Sequence, residues 1–299
     1  MDGISFFIPA YNCENTVEES IESILDSNFD SEKDELIIVN DCSTDGTLAL
    51  LNQIKEKYKH IIVLSNTRNR GGAATRNIAI EKSTKDLVFC LDSDNVLEKG
   101  SITKLKAKLK KENADIAVFE ELHFFKTTTK EITHKWNFDL VTWDAGYLLS
   151  HSKNPPASGN YLFTKASWIK AEGYPEFARA LDTWGFGVRQ LFTGSKMVIC
   201  ENSYYFHRHG HDSYWMREGR LGKTSLTALQ VLIPFFDFIH DDSINHIMGK
   251  KFRYNWLENI DKYPLQILKE KKKILNDINR LNSGKLSKIK QKLIHLFSS

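Results

Sequence analysis

From Ile4 onward, short apolar runs alternate with segments whose apolar residues recur three and four apart. Ile4-Ser-Phe-Phe-Ile-Pro9 reads as a buried strand stopped by Pro9. Glu14 to Leu25 then places Val17, Ile21, Ile24 and Leu25 on one helical face. Leu36 to Val39 is a second strand, and Asp45-Gly46 marks a turn before a helix striped by Leu48, Leu51 and Ile54. Ile61 to Leu64 is a third strand, Gly71-Gly72 opens a helix through Ile80, and Leu87 to Leu91 is a fourth strand. Strands that are apolar throughout, joined by helices and short turns, are the pattern of a parallel sheet covered on both faces.

After residue 100 the pattern loosens. Ile116 to Phe119 reads as a strand, and 120–136 as a β-ribbon turning at Lys126-Thr-Thr-Thr-Lys130. Asn154 to Gly159 is a loop. A short strand at Tyr161 to Phe163, a helix near 166–171 and another over 179–192 follow, then short strands at Met197 to Cys200 and Ser203 to His207. From Tyr214 the spacing is mostly helical, ending in an amphipathic segment with Leu286, Ile289, Leu293 and Leu296 on one side. The expected organisation is a domain over 1–215, with halves at about 1–100 and 101–215, and a helical region over 216–299.

Composition narrows the class. Of 299 residues, 41% are hydrophobic and 26% charged, the balance of a soluble globular chain. The formal charge of +3 is too small to imply a nucleic-acid partner. It is unevenly spread: residues 269–299 hold nine Lys and Arg against Glu270 and Asp277. A basic tail of this kind suits an anionic membrane surface, and solvated lysines on a packed helix are the competing reading. Cys13, Cys42, Cys90 and Cys200 lack metal-ligand spacing and fit buried thiols in a reducing compartment. With no leader at Met1 and no run of 18 apolar residues, a cytoplasmic protein, peripheral on the inner face of the membrane, is expected.

Ligands of such sheets gather beyond the carboxyl ends of the strands. Tyr11 and Asn12 follow strand one, Asn40-Asp41 strand two, Arg68 and Arg70 strand three, and Asp92-Ser93-Asp94 strand four. Turn-making explains any one of these clusters; four on one edge point to a site. Two carboxylates one residue apart can hold a divalent metal there, and a metal can neutralise a diphosphate. The chain therefore reads as an enzyme using an activated, phosphate-bearing donor.

Four ordered blocks, Phe7-Ile-Pro-Ala-Tyr-Asn12, Ile38-Val-Asn-Asp-Cys-Ser-Thr-Asp-Gly-Thr47, Asn69-Arg-Gly-Gly-Ala-Ala-Thr-Arg-Asn77 and Phe89-Cys-Leu-Asp-Ser-Asp94, resemble the family 2 glycosyltransferases. The resemblance is close over residues 3–100 and looser to about 215. It implies the GT-A (Rossmann-like) fold, a mostly parallel sheet flanked by helices, here with a helical C-terminal extension. It implies an inverting transfer of a sugar from a nucleotide diphosphate, UDP by family habit, to a hydroxyl of a glycan or lipid-linked glycan in surface polysaccharide assembly.

By the same resemblance, Pro9, Tyr11 and Asn12 flank the base and ribose, Asp41 reads the base, and Arg70 and Arg76 lie near the diphosphate. A solvated helix face is the alternative for Arg76. Asp92, Ser93 and Asp94 take ribose and a Mn²⁺ or Mg²⁺ ion, hard cations that prefer carboxylate and phosphate oxygens. A histidine after the last strand completes the metal's shell in related transferases; His209 fits that place first and His207 second, with His211 a surface residue. The general base falls in Ala180 to Phe186, where Asp182 is the carboxylate, and a helix N-cap is its other reading. Trp184 is either a sugar platform or a core residue. A sugar-phosphate nucleotidyltransferase is the runner-up, disfavoured by Pro9-Ala-Tyr-Asn-Cys13 where a glycine- and basic-rich loop belongs; a non-catalytic binding relative is the third reading.

Overall fold

A computed structural model describes residues 3–58, 60–150 and 159–210, together with Thr227, Gln230, Val231, Pro234 and Phe235. The strands are β1 (Ile4–Ala10), β2 (Glu35–Asn40), β3 (Ile61–Ser65), β4 (Leu87–Cys90), β5 (Val96–Leu97), β6 (Ile116–Phe125), β7 (Ile132–Asn137), β8 (Thr142–Trp143), β9 (Leu162–Thr164) and β10 (Met197–Arg208). The helices are α1 (Val17–Leu25), α2 (Thr47–Lys57), α3 (Gly72–Lys82), α4 (Ser101–Lys111), α5 (Ala145–Ser150), α6 (Lys165–Lys170) and α7 (Asp182–Phe192).

One sheet runs in the order β3-β2-β1-β4-β9-β6-β10-β5, with β7 paired to β6 and β8 to β10. The β1/β2, β1/β4, β2/β3 and β6/β10 pairs are parallel; β9 runs antiparallel to β4 and β6. Successive side chains on a strand point to opposite faces, so the apolar runs feed two cores. Phe7, Ile37, Val39 and Val88 pack with α3 and α7, and Phe6, Ile8, Ile38 and Phe89 pack with α1, α2 and α4. The expected mostly parallel sheet between helical layers is what forms.

Three expectations need correction. Pro9 does not stop β1, which runs to Ala10. The β4 pairing ends at Phe7, whose carbonyl accepts from Leu91, so the missing N–H of Pro9 faces a side where no ladder remains. The two short strands at 197–207 are one strand, β10, kept on β6 across a bulge between Cys200 and Tyr204, where Asn202 takes φ 55°. The helix expected over 179–192 is a 3-10 turn, Glu176–Leu181, kinked at Arg179 (φ 49°), followed by α7.

Residues 151–158, which hold most of the loop expected over 154–159, His211 and nearly all of 216–299, basic tail included, lie outside the described residues. Val231 and Phe235 are exceptions. Both join the α3/α7 core, where Phe235 stacks on Phe192 at 4.9 Å. Among the described residues no helix is long and apolar enough to cross a membrane.

Candidate active site

The loops after β1 and β2 are stitched to each other. Asn12 donates its backbone N–H to Ser43 Oγ (3.0 Å) and accepts from Thr44 N at Oδ1 (2.8 Å). Cys13 N donates to Thr47 Oγ1 at 2.8 Å, and Gly46 N to Glu14 Oε2 at 2.6 Å. The Asn12 side chain thus braces the edge, while Tyr11 beside it stays 49% exposed with its ring open to a ligand. Pro9 lies below it, half-buried at the end of β1.

Asp41 is buried and holds the turn that enters α3. Its Oδ1 accepts from Asn66 Nδ2 and Arg70 N, and its Oδ2 from Gly71 N, each at 2.8 Å. A carboxylate has about four lone-pair positions, so roughly one remains for a ligand N–H. The exposed Arg70 side chain leaves this turn toward solvent.

Arg76 is the centre of the site. It is a buried cation rather than a solvated helix face. Nη1 donates to Asp182 Oδ2 at 2.6 Å and Nη2 to Asp92 Oδ1 at 2.7 Å, and the guanidinium carbon sits 5.7 Å from the Tyr174 ring centre. One planar fork thereby joins the first carboxylate of the acidic motif to the start of α7. Gly72 makes room for it: a Cβ there would lie 2.6 Å from Arg76 Nη1 and 2.9 Å from Asp182 Oδ2.

Asp182 is the first residue of α7, one position inside the cap, which Leu181 occupies without a side-chain bond. A carboxylate in that first turn is favoured by the helix dipole. Its Oδ1 accepts from Thr183 N at 2.8 Å. Burial pushes its pKa above the ordinary aspartate value, against the pull of Arg76. Such a shift moves a carboxylate toward the range useful for proton abstraction near neutrality. Trp184, two residues on, belongs to the α3/α7 core.

The acidic loop is held from below. Asp92 N donates to Asn160 Oδ1 at 2.6 Å. The next three carbonyls each accept a side-chain donor: Ser93 from Thr16 (2.8 Å), Asp94 from Arg208 Nε (3.0 Å) and Asn95 from Ser20 (2.8 Å). Ser23 Oγ accepts from Leu97 N at 3.0 Å. The polar face of α1 therefore fixes the backbone that carries Asp92, Ser93 and Asp94.

As donors, the Asp92 and Asp94 carboxylates suit a hard divalent cation. Arg76 engages one oxygen of Asp92, and both residues are half-buried at the sheet edge. His207 and His209 stand with the β6–β7 ribbon: His207 lies 4.9 Å from the Phe124 ring centre, and His209 Nε2 is 2.7 Å from Thr133 Oγ1. Among the described residues no group of three or more His, Cys, Asp and Glu side chains is gathered as a metal site. The structure thus brings Arg76, Asp92 and Asp182 together and does not draw the histidines into one cluster with the acidic pair.

Sequence reasoning missed Asn77, Asn160 and Arg208. Asn77 accepts from Tyr174 N (2.8 Å) and Trp168 Nε1 (3.1 Å) and donates to Tyr174 O (2.9 Å), clamping the segment ahead of α7 onto α3. Its place beside Arg76 in the Arg-Asn pair was the available signal.

The model of the family "Glycosyl transferase family 2" matches residues 5–170. The poly(ribitol-phosphate) beta-glucosyltransferase of Bacillus spizizenii is 34% identical over 116 residues, 38% of this chain and 18% of that protein. The poly(ribitol-phosphate) beta-N-acetylglucosaminyltransferase TarS of Staphylococcus aureus is 22% identical over 257 residues, 80% of this chain and 42% of TarS. The chain spans less than half the length of these curated relatives. The crystal structure of S. aureus TarS 1–349 in complex with UDP-GlcNAc superposes with a TM-score of 0.63 at 17% identity, covering 88% of this chain and 76% of that one. At that identity the likeness speaks for the fold alone, which is the GT-A fold.

Proposed function

Since the chain belongs to glycosyl transferase family 2, we propose that it is a metal-dependent, inverting glycosyltransferase. It takes its sugar from a UDP-sugar and passes it to a hydroxyl of a glycan acceptor in the assembly of a cell-surface polymer. The observation that carries this reading is the single Arg76 guanidinium holding Asp92 on one arm and Asp182 on the other. A donor-side carboxylate and a candidate base thus meet at the carboxyl edge of the sheet. The UDP-GlcNAc and UDP bound by TarS structures of the same fold favour the UDP donor.

In this reading Tyr11 covers the base, and Asp41 reads it with its remaining acceptor position. Arg76, with Arg70 nearby, supplies charge-assisted hydrogen bonds to the diphosphate. Asp182 accepts the proton of the acceptor hydroxyl as its oxygen bonds to the anomeric carbon. The bond from that carbon to the phosphate oxygen breaks, and UDP leaves with the electron pair. A single displacement inverts the anomeric centre. A Mn²⁺ or Mg²⁺ ion would be held by Asp92 and Asp94 and would neutralise charge on the leaving diphosphate. The basic segment 269–299 would bring the enzyme to an anionic membrane, where a lipid-linked acceptor is presented.

The test is calorimetry of the full chain against a panel of nucleotide sugars, with and without Mn²⁺, beside Asp94→Asn. Metal-dependent binding of one UDP-sugar, lost in the variant, is the expected result. A folded protein that binds none of the panel rejects the reading.

A further inference from the structure

We propose that Arg208 is a positioning residue that sets the backbone of Asp94 and couples the acidic loop to the turn of the β6–β7 ribbon. The proposal rests on the transferase reading only in taking Asp94 as part of the donor site.

Arg208 ends β10, between the two histidines that the sequence brings forward, and its side chain is 13% exposed. Its guanidinium carbon lies 4.5 Å from the ring centre of Phe125, the last residue of β6. Nε donates to the Asp94 carbonyl at 3.0 Å. Nη1 donates to the carbonyls of Lys126 (3.2 Å) and Thr127 (3.4 Å), and Nη2 to the Glu19 carboxylate on α1. The backbone N–H of Arg208 donates to Asn95 Oδ1 at 3.0 Å, a second tie to the same loop. Three separate pieces of chain therefore converge on one fork: the acidic loop, the ribbon turn and α1.

The geometry asks for arginine. Five donors on a rigid plane can reach acceptors in several directions at once, whereas the lysine ammonium concentrates its donors at one atom. Stacking on Phe125 fixes the plane, so the direction in which each arm points is set by β6 and β10. A displacement of the ribbon turn pulls on the same guanidinium that holds the Asp94 carbonyl. The ribbon belongs to the acceptor half and Asp94 to the donor half; Arg208 is the rigid contact between them.

The test compares hydrogen exchange by mass spectrometry in the full-length wild type, Arg208→Lys and Glu19→Gln, without ligand. Peptides covering 92–97 and 126–131 should both exchange faster in Arg208→Lys, with β1, β2 and β3 unchanged. Glu19→Gln, which alters only one arm, should loosen the same two segments by less. In turnover, Arg208→Lys should raise the Mn²⁺ concentration needed for half-maximal rate and lower kcat/KM for the donor by about tenfold or more, as is usual when the support of a metal-site residue is lost. Exchange that stays at the wild-type level, or rises in one of the two segments only, overturns the coupling. Should Arg208→Lys unfold, joint loosening in Glu19→Gln still decides. Joint loosening in a protein whose wild type turns over no nucleotide sugar leaves Arg208 in its positioning role and instead rejects the transferase reading.

Discussion

The donor edge and the β6–β7 ribbon are built by different means. At the donor edge, side chains spend their hydrogen bonds on backbone: Asp41 on Arg70 and Gly71, Asn12 on Thr44, and Thr16 and Ser20 on the acidic loop. On the ribbon, rings pack on rings. Phe124 stacks on His134 at 4.2 Å and meets Trp136 at 4.6 Å, on a strand exposed at all six positions. A loop pinned through its backbone presents fixed carboxylates at the sheet edge. An exposed aromatic surface resting on one ladder can change residues without disturbing that geometry. The acidic pair sits where side chains tie the loop backbone, and the exposed rings sit on a strand held by its ladder.

The sharpest way to break this comparison is at the carboxylate itself. Asp182→Asn should slow transfer by about 100- to 10,000-fold, because proton abstraction is removed. Arg76→Met comes next. It leaves the buried Asp182 and the half-buried Asp92 without their cation and should cost about 3–5 kcal/mol in a denaturant titration. Gly72→Ala drives a methyl against the same ion pair and should cost about 1–3 kcal/mol in the same measurement. Trp136→Ala, 56% exposed on β7, should change stability by no more than about 0.5 kcal/mol. A ribbon variant as costly as Gly72→Ala would erase the distinction between the regions.

The pH profile sharpens it further. Asp182 must be ionised to act as a base, and burial raises its pKa. Protonation therefore begins at a higher pH than for an exposed aspartate. The rate should fall on acidification with a midpoint above the ordinary aspartate value. Arg76→Gln removes the opposing pull and should move that midpoint higher still, read from kcat at saturating donor.

Much of the donor half was legible in the sequence because its strands are local apolar runs ended by polar residues. The succession of elements from β1 to β4 and the placing of Asp41 and Asp92 at one edge follow from that pattern, whereas the place of Arg76 is implied only by the family resemblance. The Arg76–Asp182 pair does not, since 106 residues separate its partners and only the β9–α7 return path brings them together. Helix α4 carries Ile102, Leu105 and Leu109 at helical spacing, a signal that was present and not used. β10 looked like two strands because Glu201-Asn202 interrupts its apolar run, and pairing with β6 across the bulge restores it. Arg208 was hidden between histidines whose chemistry drew more notice, and its role depends on contacts with residues 81 to 189 positions away.

The most direct test of the central claim is release of UDP from a panel of UDP-sugars with Mn²⁺ and a glycan acceptor, by the wild type and by Asp182→Asn. One UDP-sugar turned over by the wild type, and turned over about 100-fold or more slowly by the variant, is the predicted result. A folded wild type that turns over none of them, or an Asp182→Asn variant as fast as the wild type, would contradict the account.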